Sequence, residues 1–457
     1  VNQSHADCFM REHLLTHKAM LLRICARQRL ASQIQARSFE ESFHRGTVLR
    51  FDVSGCILWG ETRVIPTMKK ILIVNNNMKI GGVQKSLCNL LWSVADQYDI
   101  TLYLFAPIGA YMHDIPPQVH VLSCDSLFRY LGTSQKDCST HWRDYFIRGI
   151  LACVCKLFGR KAILPLLLRS QEQLQTHYDC AISYLHNGAP HRFYGGVNEF
   201  VLKRVSAERK IAFLHCDYMQ CGANREENNA AYKGFDTIAA CSRGCRSAFI
   251  RAMPELAEKC RIVPNFHQYE KIRALAAQAP YCYADGQLHV LMVARLAHEK
   301  GVDRAIRALG YVRAQGISVV LHLVGNGPKE QELRTLSHAL GLDDAVLFHG
   351  DQANPYRFMR NADLLLITSY HEAAPMVIDE ARCLGLPVLS TATTSAQEMI
   401  IDRGCGWVCD NSQFSINHSL EAVLQNQSGL EHVRSLIRFS DVGNKKAMDQ
   451  LCELIGK

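Results

Sequence analysis

Short apolar runs rich in Val, Ile and Leu recur along this chain, each followed by a turn and a helical stretch of roughly 10–15 residues. A first series comprises Ile71–Val74, Ile100–Phe105, Val119–Leu122, Cys180–Tyr184, Lys210–Leu214, Thr237–Ala240 and Arg261–Val263. A second comprises Leu288–Ala294, Val319–Val324, Val346–His349, Leu364–Ile367, Val388–Ser390 and Gly406–Val408. Strands that alternate with helices pair in parallel, because the helix is the crossover that returns the chain to the same edge. The predicted class is therefore α/β, with two doubly wound Rossmann-like domains.

The expected organisation follows. Residues 68–266 form an N-terminal domain, 267–287 a polar linker with some helical character, and 288–435 a C-terminal domain. Residues 436–457 form a terminal helix, in a stretch helical from His418 onward with Val433, Leu436 and Ile437 as one apolar stripe. Residues 1–67 show no strand–helix alternation and are expected to be an upstream extension, poorly ordered or a misplaced start before Met68. The alternative for them is a short helical adaptor around His13–Gln35.

Composition excludes several classes. Of 457 residues, 48% are hydrophobic and 21% charged, which suits a globular enzyme. The formal charge of +8 is spread thinly, so no nucleic-acid partner is expected. Nineteen cysteines contain no Cys-x-x-Cys pair, so they are expected as small core residues in a reducing compartment rather than as zinc ligands. No signal-peptide pattern precedes the first strand, and no uncharged run reaches the roughly 18 residues of a membrane span. The expected location is the cytoplasm, with peripheral contact on the inner face of the membrane. The candidate for that contact is residues 145–169, amphipathic with Arg148, Lys156, Arg160, Lys161 and Arg169. Its alternative is a core-packed helix pair with ordinary cations outside.

Chemistry concentrates where strands of the second series end. Glu372 falls on the loop after Leu364–Ile367, and Glu380 inside the next helix, with Pro375 expected in that helix's first turn. Open α/β sheets bind ligands at this carboxyl edge, where helix amides face a phosphate. Arg295 and Lys300 follow the first strand of the series and place two cations there, suited to a diphosphate leaving group. Gly325 and Gly327 form another strand-to-helix turn, and Gly81-Gly82 an early one in the first domain. The segment Gly81–Ser86 lacks the ending and spacing of a P-loop. His215 ends a strand of the first domain, and taken alone suits a hydrogen-bonded structural histidine. Two carboxylates eight positions apart are, by themselves, also compatible with a loop charge and a helix cap.

In their order and spacing these pieces resemble the retaining glycosyltransferase family 4, of GT-B architecture. The resemblance rests on Glu372-x7-Glu380, Cys383-Leu-Gly-Leu-Pro387, Arg295 with Lys300-Gly301, Gly325-Asn-Gly-Pro328, Gly81-Gly82 and Val263-Pro-Asn265, and covers about residues 68–455. The His215 segment looks most like capsule, exopolysaccharide or O-antigen enzymes. Ala373 stands where a glycine is commoner, which leaves the donor sugar open.

The resemblance implies two domains facing across a cleft, a terminal helix returning to the first domain, and a nucleoside-diphosphate sugar as substrate. It implies that Glu380 accepts hydrogen bonds from the ribose. Glu372 and the backbone of Ala373, Ala374, Pro375, Met376 and Val377 hold the sugar. Arg295 and Lys300 grip the diphosphate, and Gly325 and Gly327 approach the base. Gly81, Gly82 and His215 face the cleft from the acceptor side. Glu372, His215, Arg295 and Lys300 are the implied catalytic groups. No metal is expected, because no Asp-x-Asp motif occurs; no cofactor is expected either. The implied acceptor is a glycan or a polyprenyl-linked one, in bacterial surface polysaccharide synthesis. A sugar-nucleotide epimerase of the same architecture and an inactive nucleotide-sugar-binding subunit are the alternatives.

Overall fold

The computed structural model describes residues 68–456 apart from 285 and 439–441, together with a two-residue antiparallel pair, Arg50–Phe51 with Ile57–Leu58. The expectations for residues 1–67 otherwise lie outside the described residues. The stretch from Met68 onward is a unit of its own.

Seven parallel strands make the first sheet: β1 (Lys70–Asn75), β2 (Asp99–Leu104), β3 (His120–Ser123), β4 (His177–Ser183), β5 (Ser206–Leu214), β6 (Thr237–Ala240) and β7 (Cys260–Ile262). Their order is β3-β2-β1-β4-β5-β6-β7. Six more make the second: β8 (Leu288–Val293), β9 (Val319–Val324), β10 (Val346–Gly350), β11 (Leu364–Ile367), β12 (Val388–Thr391) and β13 (Gly406–Cys409). Their order is β10-β9-β8-β11-β12-β13. In each sheet the first strand of the series is central and the chain reverses direction beside it, the arrangement that opens a crevice at the carboxyl edge.

The central strands, such as β1, β9 and β11, are buried on both faces, which is why they lack alternation, whereas the edge strand β3 is exposed. Along β1, Ile71 and Ile73 enter one core with Leu87 and Leu91, while Leu72 and Val74 enter another with Phe105, Phe128 and Phe200. The flanking helices that matter here are α1 (Gly82–Val94), α2 (Trp142–Phe158), α3 (Arg160–Arg169), α4 (Arg243–Ala252), α5 (Val302–Ala314), α6 (Met376–Cys383) and α7 (Lys445–Ile455).

The terminal helix returns as expected, but it is narrower. Ala447, Leu451, Leu454 and Ile455 of α7 join the first domain's core, and the preceding helix ends at Arg438. Asn444 grips the linker, donating to the His267 carbonyl (2.7 Å) and accepting from the His267 amide (3.0 Å). Leu436 does not share the stripe with Ile437; it is 48% exposed because it lies one residue, about 100°, further back on the helix. Eleven described cysteines are buried as core residues, in line with the expectation.

Three histidines on neighbouring strands form a chain not foreseen from sequence. His289 and His322 are 3.1 Å apart and His322 and His349 3.0 Å, and His289 Nε2 meets the Ala284 carbonyl at 2.8 Å. Burial, with the like charge His349 and His289 would carry, pushes His322 down to about 3 from 6.5. The folded state therefore binds fewer protons than the unfolded one below pH 6.5, so stability falls as the pH drops through that value. From His322 the loss between pH 6.5 and about 5 amounts to about 2 kcal/mol. Melting temperatures measured over that window should fall less steeply for His322→Leu than for the wild type; parallel curves would contradict the assignment.

Candidate active site

The loop after β11 is fixed by buried polar contacts. Thr368 and Ser369 are both buried. The equally buried Arg304 of α5 donates to the Thr368 carbonyl (3.1 Å) and to Asn411 Oδ1 (2.6 Å), and its guanidinium lies over the Tyr370 ring. Thr391 at the end of β12 donates to the Ser369 carbonyl at 2.7 Å, and Asn411 to the Tyr370 carbonyl at 2.8 Å. Gly301 has φ +59°, and a Cβ there would overlap the Thr368 carbonyl oxygen. Only glycine lets the Lys300 loop lie directly on the end of β11.

That closeness delivers Lys300 to Glu372. Lys300 Nζ is 2.6 Å from Glu372 Oε1, and Ser369 Oγ donates to the same oxygen at 2.7 Å. Both side chains are mostly buried, so the pair is far less screened than a surface one. Glu372 thus stands at the carboxyl edge, immediately before α6. Pro375 occupies the N-cap position with extended ψ, one residue earlier than expected, and α6 begins at Met376.

Glu380 lies one turn into α6 and is 2% exposed. Its partner comes from the other domain: Lys85 of α1 forms an ion pair with Glu380 Oε1. The turn at Gly81-Gly82 opens α1, so the predicted glycine pair is brought to Glu380 through Lys85 rather than through its own backbone. Removing one member of such a buried pair strands the other charge, typically at about 3–5 kcal/mol. Asp379 next door is held differently. Burial would raise its carboxyl, but His267, Arg403 and Arg382 outweigh that and keep it well below the usual carboxylate range.

Other predicted residues are arranged less tightly. Arg295 is exposed and pairs with Glu299, not with Glu372. Gly325 and Gly327 pack on the backbone of Ala294 and Leu296, where any Cβ would overlap a carbonyl, so the fold itself demands glycine at both. A Cβ at Gly82 would meet no atom within 4 Å, so close packing does not demand glycine there. Ala373 and Ala374 pack against the first domain's core; their carbonyls accept from Ser395 Oγ and, at 3.2 Å, from Asn265 Nδ2.

His215 stacks against Phe213 and lies tilted beside Tyr184, which itself stacks on Phe213, at the carboxyl edge of the first sheet. Burial, and then the neighbouring His186, push it down to about 3, while burial holds His186 at about 4. Both rings are neutral near pH 7. His215 Nε2 and His186 Nδ1 are buried and make no hydrogen bond among the described residues. The two domains also meet directly here: Glu398 accepts from the Arg243 and Gly244 amides (3.0 and 2.8 Å) at the start of α4, and Thr394 donates to Asp217.

Lys85 and Arg304 were not singled out from sequence. Lys85 lies within the Gly81–Ser86 segment dismissed as a P-loop, and Arg304 in the first turn of a helix, where an ordinary solvated cation is the natural reading. Only the tertiary fold shows that Arg304 is buried and Lys85 partly so beside the strand ends.

Residues 283–439 match the model of the glycosyl transferases group 1 family. Among curated proteins, the putative colanic acid biosynthesis glycosyltransferase WcaL of Salmonella typhimurium is 29% identical over 32% of this chain and 37% of the relative. The lipopolysaccharide glucosyltransferase WaaG of Escherichia coli is 37% identical over 27% of this chain and 34% of the relative. The chain thus matches little more than a third of the length of these relatives. Among solved structures, Anabaena HepE in complex with UDP-glucose aligns with a TM-score of 0.57 at 21% identity, over 84% of this chain and all of that one. The structure of WaaG aligns with a TM-score of 0.55 at 18% identity, over 85% of this chain and all of that one. Residues 283–439 are thus similar to the glycosyl transferases group 1 family, and the two Rossmann-like domains share the fold of the solved GT-B glycosyltransferase structures.

Proposed function

We propose that this chain is a retaining glycosyltransferase that moves a sugar from a nucleoside-diphosphate sugar to a glycan or lipid-linked acceptor in surface polysaccharide synthesis. The observation that carries this reading is the Lys300–Glu372–Ser369 cluster at the carboxyl edge of β11, just before the helix that holds the buried Glu380. The names of the relatives, which include colanic acid and lipopolysaccharide enzymes, support the pathway class; a UDP-glucose complex of HepE supports the donor class.

In this reading the ribose hydroxyls donate to Glu380. Glu372, held by Lys300 and Ser369, receives sugar hydroxyls, and the first turn of α6 faces the sugar. The bond between the anomeric carbon and the β-phosphate oxygen breaks, and Lys300 and Arg295 stabilise the charge that grows on the diphosphate. Both cations are already paired with carboxylates, so the diphosphate shares them with Glu372 and Glu299. The acceptor oxygen attacks the same face, and its proton passes to the departing phosphate, which retains configuration without a metal ion or cofactor in the reaction. His215, neutral, serves as a hydrogen-bonding group on the acceptor side rather than as a cation. Closure of the domains excludes water that would otherwise hydrolyse the donor.

A location at the cytoplasmic membrane surface is part of the proposal. Gly159 divides residues 145–169 into α2 and α3, whose Leu151, Cys155, Ile163 and Leu167 face the core. The opposite side does not carry ordinary cations alone. Trp142 (69% exposed), Phe146 (61%), Ile150 and Leu157 recur at helical spacing on it, with Arg143 and Lys161 alongside. An apolar stripe with flanking cations suits the interface of an anionic bilayer.

Two measurements check these statements. Glu372→Gln should lower turnover of the donor by about 10²–10³ while nucleotide binding persists, since the carboxylate acts on developing charge; undiminished turnover would remove Glu372 from the reaction. In flotation assays the protein should rise with vesicles containing anionic lipid and not with neutral ones. A Trp142→Ser, Phe146→Ser double variant should stay at the bottom; equal flotation of both proteins would refute the surface assignment.

A further inference from the structure

Lys85 belongs to the acceptor-side domain, yet its ammonium is spent on a carboxylate of the other. It sits in the first turn of α1, its amide bonded to the Gly81 carbonyl at 2.9 Å, and its Nζ meets Glu380 Oε1 while lying over the Tyr356 ring, 5.1 Å from the centroid. Burial works against the charge, but Glu380, with Tyr356 and Tyr111, holds the ammonium well above its ordinary range. Lys85 is thus a firm cation, and Glu380, almost fully buried, has it as its countercharge.

A vicinal diol binds a carboxylate best with one hydroxyl on each oxygen, and here Lys85 occupies one of the two. The two domains are therefore tied at the atom that a ribose needs. We propose that the Lys85–Glu380 pair is a ligand-released latch: a nucleoside entering the donor site takes Glu380 from Lys85, and the freed ammonium no longer ties α1 to α6. This rests on the reading of Glu380 as the ribose acceptor. It makes Lys85 a positioning residue whose cost is paid at nucleoside binding, because affinity is reduced by the fraction of molecules in which the carboxylate is occupied.

The test uses the full chain and neutral nucleosides (uridine, guanosine and adenosine), which avoid the separate attraction between Lys85 and phosphate. Titrations by saturation-transfer NMR compare wild type, Lys85→Met, Lys85→Gln and Lys85→Arg, each checked for a cooperative melt. For the nucleoside that binds, the two neutral variants should bind at least about threefold tighter, and Lys85→Arg should stay near the wild type. If Lys85→Met does not melt cooperatively, Lys85→Gln, which can still hydrogen-bond Glu380, decides. Unchanged or weaker nucleoside binding in a folded neutral variant overturns the latch and leaves the donor site standing. If neither the nucleosides nor their diphosphates bind any of the four proteins, the donor-site reading itself fails, and the latch with it.

Discussion

Burial of polar groups at the end of β11 is the constraint on which the site depends. A strand terminus at which Thr368 and Ser369 are buried and Glu372 mostly so leaves carbonyls and hydroxyls that must find partners. Arg304, Thr391 and Asn411 supply them from three different elements, and the close approach of Gly301 seats Lys300 among them. The loop is thereby held by the scaffold before any ligand contact is considered. A carboxylate positioned in this way presents a preorganised field, which is worth more in catalysis than a mobile charge.

The second carboxylate obeys the same electrostatics with a different outcome. Glu380 is almost fully buried, and the chain provides its countercharge from the other domain. The pair thereby joins α1 of the first domain to α6 of the second. The contact of Glu398 with the amides at the start of α4 is a second tie between the domains, and α7 with Asn444 braces the linker side.

Much of the architecture is legible in the sequence because strands buried on both faces appear as unbroken apolar runs. Thr237–Ala240, Val319–Val324 and Leu364–Ile367 coincide with the observed strands, and most other boundaries differ by a residue or so. The longer errors fall on β4 and β5, which begin at His177 and Ser206 in polar residues that extend past the core. Pro375 stands at the N-cap rather than in the first turn of α6, and its fixed φ suits both positions. Within the site, residues on one local segment, such as Glu372 and Glu380, were readable from spacing. Lys85 with Glu380, Arg304 with Thr368, and the His289–His322–His349 chain were not, because each joins elements far apart in sequence whose pairing only the fold determines. The same holds for Gly325 and Gly327: their glycines answer to neighbouring backbone, which sequence alone does not distinguish from the approach of a ligand.

The central claim is that the carboxyl edge of the second sheet binds a nucleoside-diphosphate sugar through Glu380. Saturation-transfer NMR on the full chain with UDP-glucose, GDP-mannose, ADP-glucose and CMP-sialic acid tests it most directly. The account predicts strong transfer to the ribose protons of one diphosphate donor, abolished in a folded Glu380→Ala protein. Transfer that persists in that variant, or absent from every donor with the wild type, would contradict it.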